Sequence, residues 1–237
     1  MKCLLFIPSK ARPEVLSSNA LPFAKRTGLD YRIFVEPQDA QAYTMANVVH
    51  LKENDRGLGY ATSSAKEYAV KNGYDLMFKV DDDVQAIGNV EQDLQRLIKA
   101  FEIPAVGAIC FPYSFEFYAK TDKLFTRVNK RVQTCYMIRT EAFSPSPQVS
   151  TFEDFYQFLL LRQSGYDTLY CSKHSIKCKP VGGGKGGLQM FDRKEMAKRE
   201  IAIFQSIDPS IAVISKPDKP WGYEPKFTGP KYKSRPL

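Results

Sequence analysis

At 237 residues the chain is long enough for one α/β domain with a substantial core, and its 43% hydrophobic and 25% charged content is ordinary for a soluble globular protein. Its apolar stretches are too short to span a bilayer or to form the core of a secretory signal, so neither a membrane partner nor secretion is expected. The formal net charge of +8 allows a polyanionic partner without requiring one.

The cysteines are odd in number and scattered along the chain, so a disulfide framework is not expected. They are Cys3, Cys110, Cys135, Cys171 and Cys178. A reducing, cytoplasmic setting suits this usage best. The oligomeric state is left open by the sequence.

Strands and helices alternate in the first part of the sequence. Apolar and β-branched runs predict strands at residues 2–7, 31–35, 48–51 and 74–78, and helical spacing of apolar residues predicts helices at 14–26 and 60–72. Pro22 is expected to break the first of these helices. The alternation predicts an α/β fold with a Rossmann-like, mostly parallel sheet and flanking helices, in which ligands gather at the carboxyl ends of the strands.

The second half is more mixed. Helices are expected at residues 91–101, 152–163 and 192–204, strands at 105–111 and 168–177, and alternating segments within 125–138. The prolines from Pro217 onward are expected to exclude regular elements, which predicts an extended basic tail over residues 215–237. The remaining 1–214 are expected to form a single domain.

Three adjacent carboxylates, Asp81, Asp82 and Asp83, follow the strand expected at residues 74–78. Like charges this close raise one another's pKa unless a cation compensates them, and Mg²⁺ or Mn²⁺ takes carboxylate and phosphate oxygens. Because side chains alternate along a strand, Asp81 and Asp83 are expected on one side and Asp82 on the other. The sequence therefore predicts a metal–diphosphate clamp at Asp81 and Asp83. The alternative is an acidic surface turn that binds nothing.

Basic residues cluster in the later half of the chain with few acids among them. Such clusters favour a face that binds phosphates, and the alternative is a solvated surface without a partner. The residues considered for nucleic-acid contact are Lys120, Lys123, Arg127, Lys130, Arg131, Lys177 and Lys179.

A glycine-rich loop spans residues 182–187 and contains Gly184 and Lys185. Glycines let backbone N–H groups approach phosphate oxygens closely, and Lys185 adds a positive charge among them. We expect this loop to close over a diphosphate, although it could be a simple connector. It is not a P-loop, because the Gly-Lys-Ser/Thr ending is absent.

With this order of elements, the chain resembles the GT-A-fold glycosyltransferases over most of residues 1–190. The segment 7–13, which contains Pro8, Ser9 and Arg12, is similar to the first strand and loop of that fold. The resemblance implies that this loop grips the base of a nucleotide.

Further motifs of the donor site follow in the expected order. Glu36 resembles the acid that contacts uracil or ribose, and residues 54–59, with Arg56 and Gly57, resemble the segment that packs against the nucleotide sugar. The resemblance implies a nucleotide-diphosphate sugar, in particular a UDP-sugar, as the donor.

The metal motif of the family has its counterpart in Asp81-x-Asp83. The resemblance implies that these carboxylates hold Mn²⁺ or Mg²⁺, that His174 completes the metal shell, and that Asp82 hydrogen-bonds the sugar or a neighbouring basic residue. A lone histidine is equally compatible with an ordinary core or surface position.

Residues 151–154 are similar to the xED motif of the family, in which the Asp is the catalytic base. Asp154 is therefore the expected base, with Glu153 as the second choice. The alternative is a helix-capping role for Thr151, since Thr followed three residues later by an acid is typical of a helix start. Both roles are compatible.

Within the fold, the motifs at residues 7–13 and 178–187 are most similar to the phage TET/JBP-associated glycosyltransferases. This resemblance implies a nucleotide-sugar half at 1–84 and an acceptor half at 85–214. It also implies transfer of a hexose or pentose, with inversion, to the hydroxyl of a 5-hydroxymethylpyrimidine in DNA. Among these bases, 5-hydroxymethylcytosine is the expected acceptor. The setting would then be the cytoplasm of the infected host.

Other functions remain open at this point. A GT-A enzyme could act on a polysaccharide or a protein, with incidental basic clusters. A nucleotidyltransferase should carry its glycine-rich loop directly after the first strand, where this chain has residues 8–12. A non-catalytic DNA-binding module would keep the basic face but would have no use for Asp81, Asp83 and Asp154.

Overall fold

A mixed, mostly parallel sheet forms the centre of the protein. The structure, a computed structural model, describes residues 1–113, 122–178 and 192–237. In chain order, the strands of these ranges are β1 Cys3–Ser9, β2 Asp30–Val35, β3 Val48–His50, β4 Leu76–Lys79, β5 Val84–Ile87, β6 Val106–Cys110, β7 Phe125–Val128, β8 Tyr136–Arg139, β9 Asp167–Cys171, β10 Ile176–Cys178, β11 Ala212–Lys216, β12 Gly222–Lys226 and β13 Arg235–Pro236.

The helices lie between these strands and flank the sheet. They are α1 Pro13–Ser18, α2 Ala20–Thr27, α3 Gly57–Lys71, α4 Val90–Ala100, α5 Glu153–Gln163 and α6 Arg193–Ile207, with 3₁₀ turns at Pro37–Ala42 and Pro230–Tyr232. Among the described residues, none of these helices has the length and apolar character that crossing a bilayer requires.

Nine strands of the described ranges form the central sheet, in the order β13-β7-β9-β6-β8-β4-β1-β2-β3. The pairs β1–β2, β2–β3, β1–β4 and β6–β9 are parallel. Two strands run against this direction: β8 is antiparallel to β4 and β6, and β7 is antiparallel to β9 and β13. The short pairs β5–β10 and β11–β12 lie outside this sheet. The expected fold class, a mostly parallel sheet with flanking helices and a mixed second half, is confirmed.

The two faces of the sheet carry separate hydrophobic clusters. Because side chains alternate along β1, Leu5 and Ile7 pack into one cluster with α1, α2 and α4. Leu4 and Phe6 pack into the other with α3, α5 and α6. Both faces are thus covered, which explains why β1 reads as one continuous apolar run.

Two expected elements are divided in the structure. The helix expected at 14–26 is α1 and α2, separated at Asn19 rather than at Pro22. Pro22 lies in the first turn of α2. The N–H groups of a first turn have no partner within the helix, so proline costs no hydrogen bond there. The strand expected at 168–177 is likewise two strands, β9 and β10, which belong to different sheets, and His174 lies between them. The alternating segments expected within 125–138 are β7 and β8.

The expectation that the prolines exclude regular structure after residue 215 is wrong. The hairpin β11–β12 and the edge strand β13, which pairs with β7, contain Pro225 and Pro236. Edge strands tolerate proline because one row of their N–H groups is not needed for pairing. Asp208, at the end of α6, fixes this segment by accepting hydrogen bonds from Lys231 Nζ at 2.8 Å and from the Tyr232 hydroxyl.

Candidate active site

The acidic turn, defined here as Asp81–Asp83, connects β4 to β5 at the carboxyl end of β4. Asp82 is fully buried, while Asp81 and Asp83 remain partly exposed. The Asp82 carboxylate accepts hydrogen bonds from Ser9 Oγ at 2.7 Å and from the Arg12 guanidinium at 2.5 Å. Burial raises the pKa of Asp82 to about 7, although Arg12 and Ser9 act in the opposite direction. The turn is therefore tied to the loop after β1.

Lys79, the last residue of β4, joins the acidic turn to the start of α5. Its ammonium group is 2.8 Å from Asp81 Oδ1 and 2.6 Å from Glu153 Oε1, and it also donates to the carbonyl oxygen of Thr134. The side chain is 1% exposed. Burial disfavours the ammonium, but the two carboxylates outweigh it and raise the pKa of Lys79. A permanent positive charge therefore lies beneath the site.

Glu153 and Asp154 begin α5 and have different surroundings. Glu153 is buried, and its second oxygen accepts a hydrogen bond from the Tyr136 hydroxyl at 2.9 Å. Burial raises its pKa to about 7, against the effect of Lys79. Asp154 remains partly exposed; burial raises its pKa as well, against the nearby charges of Arg131 and Lys79. Asp154 is thus the more accessible carboxylate, and Glu153 is committed to its partners.

The loop before α5 is held by a carboxylate from another helix. Helix α5 begins without a side-chain cap, so the capping role considered for Thr151 is not formed there. Instead, Glu200 of α6 accepts hydrogen bonds from the backbone N–H groups of Ser150, Thr151 and Phe152, each at 2.8 Å. This contact could not be predicted from the sequence, because an acid in a charged helix normally faces solvent.

At the ends of β1 and β2, several residues of the predicted donor site lie together. Glu36 is buried and forms an ion pair with Lys10, whose ammonium is 2.6 Å from Asp55. The Gln38 amide donates to Glu36 at 2.8 Å. Lys10 lies within the segment that the resemblance covers, but its ion pairs could not be read from the sequence. Pro8, which precedes Ser9 in β1, is half-buried.

The start of α3 packs against the loop before α5. The Gly59 N–H donates to Ser150 Oγ at 2.9 Å, and a β-carbon at Gly59 would collide with the carbonyl oxygens of Ser146 and Val149. Glycine is therefore required for this close approach. Arg56, directly before α3, is exposed, pairs with Glu53 and lies 5.6 Å from the ring centre of Tyr60.

Gly57 is the first residue of α3 and has a φ of 80°, in the region that glycine adopts readily. The predicted donor segment 54–59 therefore leads into a helix start, as expected from the resemblance. Its contact with a nucleotide sugar stays a prediction.

His174 is bound by Asp93 of α4, in a cluster that contains none of the three carboxylates of the acidic turn. Its Nε2 is 2.9 Å from Asp93 Oδ2 in α4, and Lys173 Nζ is 2.6 Å from the same oxygen. Burial lowers the pKa of His174, although Asp93 acts in the opposite direction. In the described ranges, no group of three His, Cys, Asp or Glu side chains is arranged to hold a metal ion. A metal site would therefore depend on Asp81 and Asp83.

The residues of the acidic turn suit a hard cation. Burial and the neighbouring charge of Asp81 raise the pKa of Asp83, so its negative charge is incompletely compensated. Carboxylate oxygens are the ligands that Mg²⁺ and Mn²⁺ prefer, and one or two of them suffice when substrate phosphates supply the rest. The donor set therefore fits such an ion.

The predicted basic residues do not share one environment. Lys123, Arg127, Lys130 and Lys177 are exposed. The residues that lie outside the described ranges are Lys120 and Lys179 of the basic clusters and Gly184 and Lys185 of the glycine-rich loop.

Arg131 differs from the other basic residues. Its guanidinium lies 3.8 Å from the ring centre of Phe155 and 3.7 Å from a carboxylate oxygen of Glu224 in β12. Phe155 follows Asp154 directly in α5, and the charge of Arg131 lowers the pKa of Asp154 against the effect of burial. Arg131 therefore borders the candidate base.

No protein-family model matches the chain, and no curated protein matches its sequence. Among solved structures, a mycobacterial protein aligns at a TM-score of 0.53 and 12% identity, and the match covers 99% of this chain and 86% of that protein's chain. Glucosyl-3-phosphoglycerate synthase of M. tuberculosis aligns at a TM-score of 0.51 and 11% identity, and the match covers 87% of this chain and 80% of that one. TarS residues 1–349 of S. aureus align at 0.50 and 14% identity; the match covers 74% of this chain but only 59% of that one. The chain therefore shares the GT-A-like fold of these structures.

Proposed function

We propose that the protein is a glycosyltransferase that moves a sugar from a nucleotide-diphosphate sugar to a hydroxyl group. The observation that carries this proposal is the buried Lys79, which bridges Asp81 of the acidic turn and Glu153 at the start of α5. It brings a carboxylate turn suited to a cation next to Asp154, a partly exposed carboxylate suited to proton transfer. The GT-A-like fold supports the same activity.

The donor would lie along the ends of β1, β2 and β4, in front of α3. The loop after β1 and the acidic turn are joined there by Asp82, so the nucleotide end and the diphosphate end of the donor would contact one connected surface. We assign donor contacts to Pro8, Ser9, Arg12, Glu36, Arg56, Gly57, Asp81, Gly184 and Lys185. Asp82, which the sequence also offered as a donor contact, is fully buried and instead holds Ser9 and Arg12 in place. A UDP-sugar is the donor that the resemblance favours.

Asp81 and Asp83 would hold Mn²⁺ or Mg²⁺. When bound, such an ion stabilises the negative charge that develops on a leaving diphosphate. His174 is not needed for this arrangement, because two carboxylates and the diphosphate oxygens provide ligands of the required kind.

Asp154 is the proposed general base. Its carboxylate would take the proton of the acceptor hydroxyl while that oxygen forms a bond to the anomeric carbon and the bond to the diphosphate oxygen breaks, its electron pair leaving with the diphosphate. A single base opposite the leaving group leads to inversion. Glu153 is held by Lys79 and Tyr136, so we assign it the role of fixing the helix start.

For the acceptor we propose the hydroxyl of 5-hydroxymethylcytosine in DNA. The resemblance to the phage DNA-base glycosyltransferases supports this choice, as do the exposed side chains of Lys123, Arg127, Lys130 and Lys177. Arg131 borders Phe155 and the candidate base, so a phosphate of the acceptor strand could approach it there. With a polysaccharide or protein acceptor, the clustering of these basic side chains would be incidental to the reaction.

The test is to incubate the protein with Mn²⁺, a panel of nucleotide sugars and hydroxymethylated duplex DNA, followed by mass spectrometry of the digested nucleosides. We expect the mass of one sugar to be added to hydroxymethylcytosine. Asp154→Asn should slow this addition by about 10²-fold or more, whereas Asp218→Asn, at a side chain that is 70% exposed, should leave its rate unchanged.

Two results would contradict the proposal at different levels. No transfer to DNA, with transfer to a polysaccharide or protein, would replace the acceptor but keep the enzyme class. No transfer and no donor consumption with any acceptor, together with retained DNA binding, would identify a non-catalytic DNA-binding module.

A further inference from the structure

Glu200 is a buried carboxylate that no part of the proposed reaction uses directly. It lies in α6, is 1% exposed, and is far in sequence from the loop before α5. Burying a charge without partners is costly; backbone donors bind this carboxylate, and the positive charge of Arg193 in the same helix also acts on it. One oxygen accepts from Ser150 and Thr151, and the other accepts from Phe152. Its place in the fold therefore depends on the loop that it binds.

The same loop leads directly into the candidate base. Phe152 precedes Glu153 and Asp154, so the amides that Glu200 binds are those at the entry to α5. The N–H groups at the start of a helix have no partner within the helix, and a negative charge is favoured beside them. Glu200 supplies both an acceptor and a charge. It thereby fixes the direction from which the chain enters α5.

The loop is also held from the opposite side. Ser150 Oγ accepts the Gly59 N–H at 2.9 Å, at the start of α3. Gly59 lies so close to Ser146 and Val149 that a β-carbon would not fit. The segment 146–152 is therefore held between α6, through Glu200, and α3, at the end where the donor is proposed to bind. A shift of this segment would move the base relative to the donor.

We propose that Glu200 is a positioning residue for sugar transfer, which holds the entry to α5 so that Asp154 faces the acceptor hydroxyl. The inference rests on the proposed function and identifies which contact sets the position of its base. Glu200 itself touches neither substrate nor reacting atoms in this scheme.

The substitutions differ in what they leave for the backbone donors. Glu200→Ala removes both oxygens and leaves the N–H groups of Ser150, Thr151 and Phe152 without their acceptor. Glu200→Gln keeps one oxygen for Ser150 and Thr151 but turns an amide N–H₂ toward the N–H of Phe152. Glu195→Gln is the matched control, because Glu195 lies in the same helix and pairs with Lys198 at the surface.

The experiment measures kcat, the KM for the donor and the pH profile of these variants, together with amide hydrogen exchange over residues 149–155. A displacement of about 1 Å can cost about 10²-fold in rate, so we expect Glu200→Ala to lower kcat by about 10²-fold and Glu200→Gln by about 10-fold. The donor KM should change by less than about threefold, because the donor contacts come from other elements. Amides of the loop should exchange faster, and Glu195→Gln should match the unsubstituted protein.

The pH profile separates positioning from simple loss of stability. Burial raises the pKa of Asp154, so a loosened loop that exposes Asp154 should move the acid limb of kcat/KM to lower pH. Variants that retain kcat within about twofold while their loop amides exchange faster would overturn the inference but leave the proposed function standing. An unsubstituted protein that transfers no sugar would overturn the proposed function, and this inference with it.

Discussion

The acidic turn at 81–83 and the cluster around Asp93 use the same residue types in opposite ways. In the Asp93 cluster, one buried carboxylate is bound by Lys173, Arg96 and His174, and the hydrogen bond from Lys173 is the main cause that lowers the pKa of Asp93 to about 2. In the turn, burial and mutual repulsion raise the pKa of Asp83, and the charge of Asp83 is only partly compensated.

This difference separates a structural cluster from a candidate site. The Asp93 cluster contains its own counter-charges and connects α4 to the segment before β10. The turn lacks full compensation, so an external cation would lower its free energy. A histidine near acidic residues should therefore be predicted as a metal ligand only where those acids lack a compensating positive charge. His174 lies in the cluster where they do not.

The sharpest way to test the comparison is Asp83→Asn. We expect the rate of sugar transfer to fall by about 10³-fold or more, because a carboxylate that stabilises the leaving diphosphate through its cation is lost. The free energy of unfolding should stay the same or rise, since the substitution removes a repelling charge next to Asp81. Transfer assays and urea unfolding measure the two effects. Retained transfer would remove Asp83 from the metal site.

Asp154→Asn should have the next largest effect. Loss of a general base typically lowers kcat by about 10²-fold or more, and the donor KM should change little because Asp154 does not contact the donor in the proposed scheme. Steady-state kinetics with a hydroxymethylated duplex measure this split. If Glu153→Gln lowered kcat far more than Asp154→Asn at equal stability, the two acids would have to exchange roles.

Asp93→Asn should show the converse pattern. Removing a buried charge from several charged hydrogen bonds should lower the free energy of unfolding by about 2 kcal/mol at neutral pH, with kcat changed by less than about threefold. Urea unfolding and transfer assays provide both numbers. A loss of transfer at unchanged stability would show that the cluster belongs to the site after all.

The pH dependence of stability should differ between the same two clusters. The pKa of Asp93 is lowered to about 2, so the stability that it provides is present above about pH 4, the unfolded value, and is lost as the pH falls toward 2. The lowered pKa of His174 adds a loss below about pH 6.5, because the unfolded chain binds the proton more readily.

Asp82 acts in the opposite direction. Its pKa is raised to about 7, so its contribution is present below about pH 4 and is lost as the pH rises through 7. Unfolding of Asp93→Asn and Asp82→Asn across pH 3 to 8 measures both trends. Relative to the unsubstituted protein, Asp93→Asn should lose less stability on acidification, and Asp82→Asn should lose less on going from acid to neutral pH.

The sequence predicted those features that depend on residues close together in the chain. Apolar strands followed by polar loops predicted the sheet and placed the acidic turn at a strand end, because both features are local. The contacts of Lys79 and Glu200 were not predictable, since each joins segments far apart in the chain. For Lys79 the sequence contained one signal: a lysine within an apolar strand run is expected to be buried, and a buried charge requires partners.

For the segment after residue 215 the local pattern was misleading rather than silent. Its prolines predicted irregular structure, but their positions in edge strands made them compatible with pairing. What orders this segment is its packing: the rings of Phe227 and Tyr232 lie against Phe158 of α5. Tertiary contacts of this kind leave no periodic pattern in a short segment.

The burial of Lys79 has a consequence for how the protein would respond to ionic strength. Dissolved ions screen exposed charges over about 10 Å at 0.1 M salt but hardly reach an ammonium that is 1% exposed. Capture of a polyanionic acceptor by surface lysines and arginines would therefore weaken as salt is added, while the chemical step beside Lys79 would not. A salt titration would thus separate the electrostatics of docking from those of catalysis within one enzyme.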